Sequence, residues 1–595
     1  MKKYLFIFLV FYFSMQIKAQ NTTDFNYYKT WGTYFGGKNF QAKDAALDSQ
    51  GNIYLTGSIL LEYSPIDISY INQFATSNAY QINYGGGISD CFLVKFDPQG
   101  NVIWTTFYGG GGDDDSLAIT ISAEDSVYIV GITNSTTMSS PNSFITNYNP
   151  EITNSFIAKF NSDGNRLWAS YLPGTIKDIA TDNLNNIYFI GYTNNHENIS
   201  TPGTFQENFL TVLNSDSLEY GNGYLMKFDG LGNRIWGTYY GISNPFAIAV
   251  DRFQKPYIVG QAEEAENSTG FYATPNCHQS TKGYGFVTKF DSDGQRNWST
   301  YYGGLNNPLT ANGTIINSIA LNNNNLYISG FTADTYAIAS PNAFQTSING
   351  STDAFLVQFN TDGVRQWGTY FGGNNEEWTD LSPSISTLNN AIIITGSTSS
   401  SSNLNTTNAY QTNYSGNADS FFAKFDANGQ RIWASYYGGN DYEGFNGALQ
   451  VSDDLFYLWG STKSTNNIAT AGSHQPHLND GTINETPLAE NSYLAKFIPP
   501  ALGETNFDNT IAIQIVPNPS NGSFIVQGNL PLSTSSINFK ILDIQGREIN
   551  DSSQIIISGN LSKEFDLRNL LSSGVYFLKM IGTGEETKTF KIIIQ

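Results

Sequence analysis

Short runs in which every second side chain is apolar recur along the chain, as in NIYLTGSIL (52–60), NVIWTTFY (101–108), NIYFIGYT (186–193) and RIWASYY (431–437). A period of two is that of a β-strand with one buried face, and the Gly, Asn and Asp clusters between the runs are turn formers. The pattern predicts an all-β protein.

The runs repeat in phase. Trp31, Trp104, Trp168, Trp236, Trp298, Trp367 and Trp433 mark a period of roughly 67 residues, which points to a repeat architecture. Each tryptophan strand is followed by a strand like AALDSQG, a tight turn, a strand like NIYLTGS and a longer connection. A strand like DCFLVKFD and a hairpin then lead into the next tryptophan. Four strands per unit and seven units are the sequence form of a β-propeller. The first tryptophan strand, KTWGTYFGG (29–37), has no strand before it, and the last unit ends at YLAKFIPP (493–500) with only three. The N-terminal strand is therefore expected to complete the last unit and close the ring, which leaves no free edge.

This script resembles the SBBP-type β-propeller repeat, whose units read roughly as WSTYLGG, D-x-x-GN-x-Y-x-x-G-x-T and DAFVAKFD-x-x-G. The resemblance covers residues 24–500. It implies the fold and an extracellular location but no single activity. The period stops near Asn506. Beyond it, VPNPSNGSF (516–524), DIQGREI (543–549), LSSGVYFLKM (571–580) and a final basic-apolar strand resemble the C-terminal sorting domain (type A) of type IX secretion substrates. That resemblance implies export across the outer membrane by the type IX secretion machinery, to a secreted or outer cell-surface location. The expected organisation is a signal peptide (1–19), a seven-bladed propeller (20–500), a linker (501–510) and a small C-terminal β-sandwich (511–595).

The leader MKKYLFIFLVFYFSMQIKA has the charged start and short apolar run of a secretory signal, and no other window approaches a membrane span. Lys plus Arg number 29 against 51 Asp plus Glu, a net charge of −22, so nucleic acid and anionic membranes are poor partners for the whole molecule. Cys91 stands where sister units carry Ala354 or Ser420, and Cys277 where they carry Ala79 or Ala343. Both read as small residues with free thiols.

Candidate chemistry is sparse. Asp48, Asp182 and Asp251, with Asp97, Asp229, Asp291 and Asp426, each precede a tight turn, where a carboxylate binds backbone amides two residues on. His278 and His474 take the place of Tyr80, Phe344 and Tyr410 and are expected to pack as small aromatics. No cofactor or metal is expected. The length and variation of the loops fall on the face opposite the tight turns, where a local function would lie. There Trp378 in GGNNEEWTD breaks the repeat, and the neighbouring loop is GGNDYEGFN. Together they gather Glu376, Glu377, Trp378, Asp380, Asp441, Tyr442 and Glu443 as a candidate ligand site, an apolar platform ringed by acids that suits a sugar. The leading expectation is a binding or adhesion module for glycan or another surface polymer. A polysaccharide-degrading hydrolase or lyase and a purely structural surface protein stay open.

Overall fold

The computed structural model describes residues 27–61, 68–151, 153–213, 219–262, 270–304, 313–378, 385–389, 391–452, 455–478, 490–498, 513–529, 536–543, 547–556, 560–582 and 587–595. The expected leader and linker lie outside them, as does Asp380. The chain forms two compact units, Lys29–Phe497 and Ile498–Gln595, and among the described residues the all-β expectation holds.

Among its described residues the first unit contains seven antiparallel sheets, six of four strands and one in which the first strand is broken in two. In the first sheet the order is Phe40–Leu47, Ile53–Leu60, Ser89–Phe96 and Val102–Tyr108. Its second and third strands are almost wholly buried, because sheets pack against them on both faces and Val, Ile, Phe and Tyr fill such surfaces well. The turns form as their acids suggest. Asp48 accepts from Gln50 N at 3.0 Å and Asn52 N at 2.8 Å. Asp97 accepts from Gln99 N at 2.9 Å, and Gly100 after it sits at φ 87°.

The first strand of a sheet commonly carries a bulge, as between Ala42 and Asp44 or between Ile176 and Asp178. A bulge re-aims the next side chain, and here it turns an acid toward the following sheet. Asp44 accepts from Ala45 N at 2.7 Å and from Ile119 N of the next sheet at 2.9 Å, and Asp178 does the same with Ile179 and Ile248. These carboxylates pin first strand to first strand.

The recurring tryptophan reaches across to the next sheet. Trp104 lies on Gly164, Trp168 on Gly232, Trp236 on Gly294, Trp298 on Gly363 and Trp367 on Gly429. Each of these indole N–H groups donates into the same hairpin, as Trp236 does to Ser292 O at 2.8 Å. The glycine serves twice, by taking a positive φ and by leaving room for the ring.

The histidines behave as aromatics of the repeat. The His278 ring stands 5.8 Å from that of Tyr302 and 5.7 Å from that of Phe359, as Tyr80 does with Tyr108 and Phe160. His474 packs likewise on Phe35 and Phe96. Cys91 is buried, and both thiols are free.

The seventh sheet joins Glu443–Ser452, Leu455–Thr462 and Asn491–Ile498 to the N-terminal strand Tyr28–Phe35. Thr30 Oγ1 donates to Lys496 O at 3.2 Å and Lys29 Nζ to Ile468 O at 2.9 Å. Phe35, Phe40, Phe92, Tyr457, Trp459 and Leu494 share one core cluster, which joins the first and last sheets.

In the second unit, Ile513–Val516, Ser523–Asn529 and Asn560–Asp566 form one sheet. Glu548–Ile555, Ser536–Leu542, Gly574–Gly582 and Thr587–Ile594 form the other. Phe524, Val526, Phe539, Ile541, Leu578 and Ile592 make their shared core, an arrangement that alternating apolar positions produce when two sheets pack face to face.

Candidate functional site

The sixth and seventh sheets carry equivalent leading loops. In the sixth, Glu377–Trp378 pairs with Ser397 and Thr398. In the seventh, Glu443 pairs with Thr462 and Gly444 with Ser461. Glu376 thus matches Tyr442, Glu377 matches Glu443, and Trp378 matches Gly444.

Ser397 brings the two loops together. It is the register partner of Trp378, and its Oγ donates to Glu443 O at 3.1 Å. The Asn446 amide, three residues along the same strand as Glu443, donates to the same Ser397 oxygen at 2.9 Å. Glu376 is exposed and accepts from Ser351 Oγ at 2.9 Å, while Asp441 is half-buried and accepts from Asn417 Nδ2 at 2.9 Å. Tyr442 is half-buried with Lys463 Nζ over its ring at 5.6 Å. Trp378 is half-buried.

Glu377 and Glu443 differ from the expectation that they would face a ligand. Both are fully buried, and their own loops and sheets take up their oxygens. Glu377 accepts from Gly373 N at 2.8 Å and Thr398 Oγ1 at 2.7 Å. Glu443 accepts from Gly439 N at 3.2 Å and Thr462 Oγ1 at 2.7 Å. Burial pushes Glu377 up to about 7 and Glu443 up to about 8, since desolvation disfavours the charged form. Asp114 occupies the same place in the second sheet, where it accepts from Gly110 N at 2.7 Å. The three acids hold their loops, and of the candidate residues Glu376, Trp378, Asp441 and Tyr442 keep some exposure.

A second polar feature leaves little trace in the sequence. A cavity lies among the first strands of five consecutive sheets, lined in part by Asp44, Lys177, Asp178 and Asn317. Its two carboxylates already accept backbone N–H groups and serve as the sheet-to-sheet pins described above. Their only signal in the sequence is an acid placed one step past a bulge, and a bulge is not visible in an apolar-polar pattern.

The C-terminal strands decide where the protein goes. Residues 514–595 match the secretion system C-terminal sorting domain. The protein is secreted or held at the outer cell surface and is handled by the type IX secretion machinery. Among the described residues no helix is long and apolar enough to cross a membrane. A WD repeat-containing protein of Acanthamoeba polyphaga mimivirus is 27% identical over 235 residues, which cover 35% of this chain and 16% of that protein's length. Among solved structures, BamB from Moraxella catarrhalis aligns at 10% identity over 79% of this chain and 99% of that one, with a TM-score of 0.35. The Dos1 propeller aligns at 8% identity over 79% and 95%, with a TM-score of 0.33. Likenesses of this size carry no argument about activity.

Proposed function

We propose that the first unit is a seven-bladed β-propeller closed by its N-terminal strand, and that it works outside the cell as a binding module for glycan or another surface polymer. Ring closure is supported by the strand Tyr28–Phe35 in the last sheet and by the core shared between the first and last sheets. The binding reading rests on one observation. Two equivalent loops on consecutive sheets, tied through Ser397, present the off-pattern Trp378 and Tyr442 beside the acids Glu376 and Asp441. An aromatic face stacks on the apolar face of a sugar while carboxylates accept its hydroxyl hydrogens. Glu377 beside Trp378 and Glu443 beside Tyr442 in the chain are taken up by their own loops, so the arrangement suits holding a polymer better than cleaving it.

The test is a glycan array probed with the full exported chain, repeated with Trp378→Ala and Tyr442→Ala together. Retention on the glycans bound by the wild type should be lost while the melting temperature stays within a few degrees. Undiminished retention by the double variant would remove this site.

A further inference from the structure

Three junctions between consecutive sheets carry two buried acids each: Asp90 with Asp114, Asp353 with Glu377, and Asp419 with Glu443. The first acid begins the third strand of one sheet, and the second leads the first strand of the next. A glycine lies between them. A β-carbon on Gly109, Gly372 or Gly438 would collide with a carboxylate oxygen of both partners at once. The facing oxygens are therefore within about 5 Å of each other, a separation at which two carboxylates do not both ionise freely.

The remaining four junctions have neither acid. The corresponding residues are Asn154 and Gly174, Asn222 and Ser243, Tyr284 and Thr314, and Asn491 and Phe40. At these two positions the acids thus occur together or not at all, although repulsion alone would keep them apart; the Tyr284–Thr314 junction instead holds one buried acid elsewhere, Asp334, which accepts from Gly304 N at 2.9 Å and Thr314 Oγ1 at 2.7 Å. Where asparagine replaces the first acid, its amide supplies a donor: Asn491 Nδ2 donates to Gly37 O at 3.1 Å and Asn222 Nδ2 to Leu210 O at 3.0 Å. In two of the three pairs the first acid keeps an oxygen, Oδ1 of Asp90 and of Asp419, with no hydrogen-bond partner among the described residues although both acids are fully buried; in the third, Asp353 Oδ1 accepts from Gly350 N at 3.1 Å.

The surroundings are rich in donors. Asp419 Oδ2 accepts from Ser415 N at 3.0 Å and Gln411 Nε2 at 2.8 Å. The Thr462 hydroxyl accepts from Ser464 N at 2.9 Å, so its own proton goes to Glu443. Thr398 is fixed in the same way between Ser400 N and Glu377. Such a shell suits a pair of carboxyls carrying one negative charge, whereas a hard cation needs a shell of oxygen acceptors.

We propose that each pair shares one proton, the O–H of one carboxyl donating to the facing oxygen of the other, and that these three joints make the sheet assembly tighten in acid and loosen toward alkali. The groups facing the pairs do not neutralise them. Tyr84, Cys91 and Asp113 bear on the first pair, Tyr370 on Asp353, and Tyr34, Tyr414 and Tyr436 on the others. Burial pushes Asp90 up to about 8 and Asp419 up to about 7, alongside the raised values of Glu377 and Glu443. The folded pKa values lie above the unfolded ones near 4. The stabilisation is then complete below the unfolded value and is lost as pH rises through about 7 to 8.

The test follows melting temperature from about pH 5 to about pH 9 for the full chain and for Asp90→Asn/Asp353→Asn/Asp419→Asn, which installs the amide found at the Asn222 and Asn491 junctions. Each series is run with calcium chloride and with EDTA. The variant should lose less stability than the wild type as pH rises, and the infrared carbonyl band of protonated carboxyls expected of the wild type at neutral pH should shrink. Parallel curves with an unchanged band would overturn the proposal. So would a calcium-dependent rise in wild-type melting temperature that the variant lacks, because a cation would then hold the pairs. If the triple variant does not fold, Glu443→Gln alone must reduce the same band.

Discussion

Trp31 lies against Gly100, so close that a β-carbon on the glycine would come within 2.9 Å of the indole. The one belongs to the N-terminal strand of the last sheet and the other to the outer hairpin of the first. The same pairing joins Trp104 to Gly164 and each later couple through Trp367 and Gly429. Only in degree does this joint differ: Trp31 Nε1 has no hydrogen-bond partner, whereas Trp104 Nε1 donates to Ser162 O at 3.0 Å.

Trp31→Ala is accordingly expected to cost about 3 to 5 kcal/mol, as large aromatics removed from packed sites do. Gly100→Ala should also destabilise, through its positive φ and its collision with the ring. Gly111→Ala, where a β-carbon meets nothing within 4 Å, should be nearly neutral. Urea unfolding of the three variants checks the order.

His278 gives a dependence in acid. Partial burial and the Arg365 guanidinium lower its pKa to about 4, below the unfolded value near 6.5. The unfolded chain takes up the proton first, so this residue removes stability as pH falls from about 6.5 to about 4. The exposed edge of the ring moderates the effect by solvent screening. His278→Phe, the aromatic that Phe344 already supplies in a sister unit, should flatten that limb of a melting-temperature profile. An unchanged limb would mean that the imidazole titrates freely.

Gly447→Ala should destabilise by several kcal/mol. Its β-carbon would enter the indole of Trp459, which is buried to 1% exposure in the core that joins the last sheet to the first. Overpacking typically costs about 1 to 3 kcal/mol even where neighbours can shift. Thermal unfolding of the single variant measures it.

Removing residues 514–595, the span that matches the sorting domain, should leave the remaining chain in the periplasm. Fractionation of cells that express the truncated protein checks this. Normal yield outside the cell would mean that another segment carries the address.

The strands, the turns and the tryptophan period were legible because each rests on local chemistry. Alternation decides a strand, and Asp-x-x-Gly decides a hairpin such as Asp97 to Gly100. What the tryptophans do was not legible, since the partner glycine lies about a whole unit further along. The candidate site was legible only in part. Trp378 stands out as a departure from the repeat, but Glu377 and Glu443 look like any loop acid until Thr398 and Thr462 are brought beside them. The faint signal is that Asp353 and Asp419 begin the third strands preceding these acids, where Asn222 and Asn491 begin strands followed by none.

The placement of strand Asn491–Ile498 has a mechanical consequence. It is hydrogen-bonded to Leu455–Thr462 on one side and to Tyr28–Phe35 on the other, and the chain runs on from its end toward the tail by which the protein is exported and held. Freeing that strand must break two ladders of hydrogen bonds, whereas a strand at the rim of a sheet is held by one. The N-terminal strand thus acts as a second clamp on the segment that leads into the tail, and trimming it would leave one ladder where there are two.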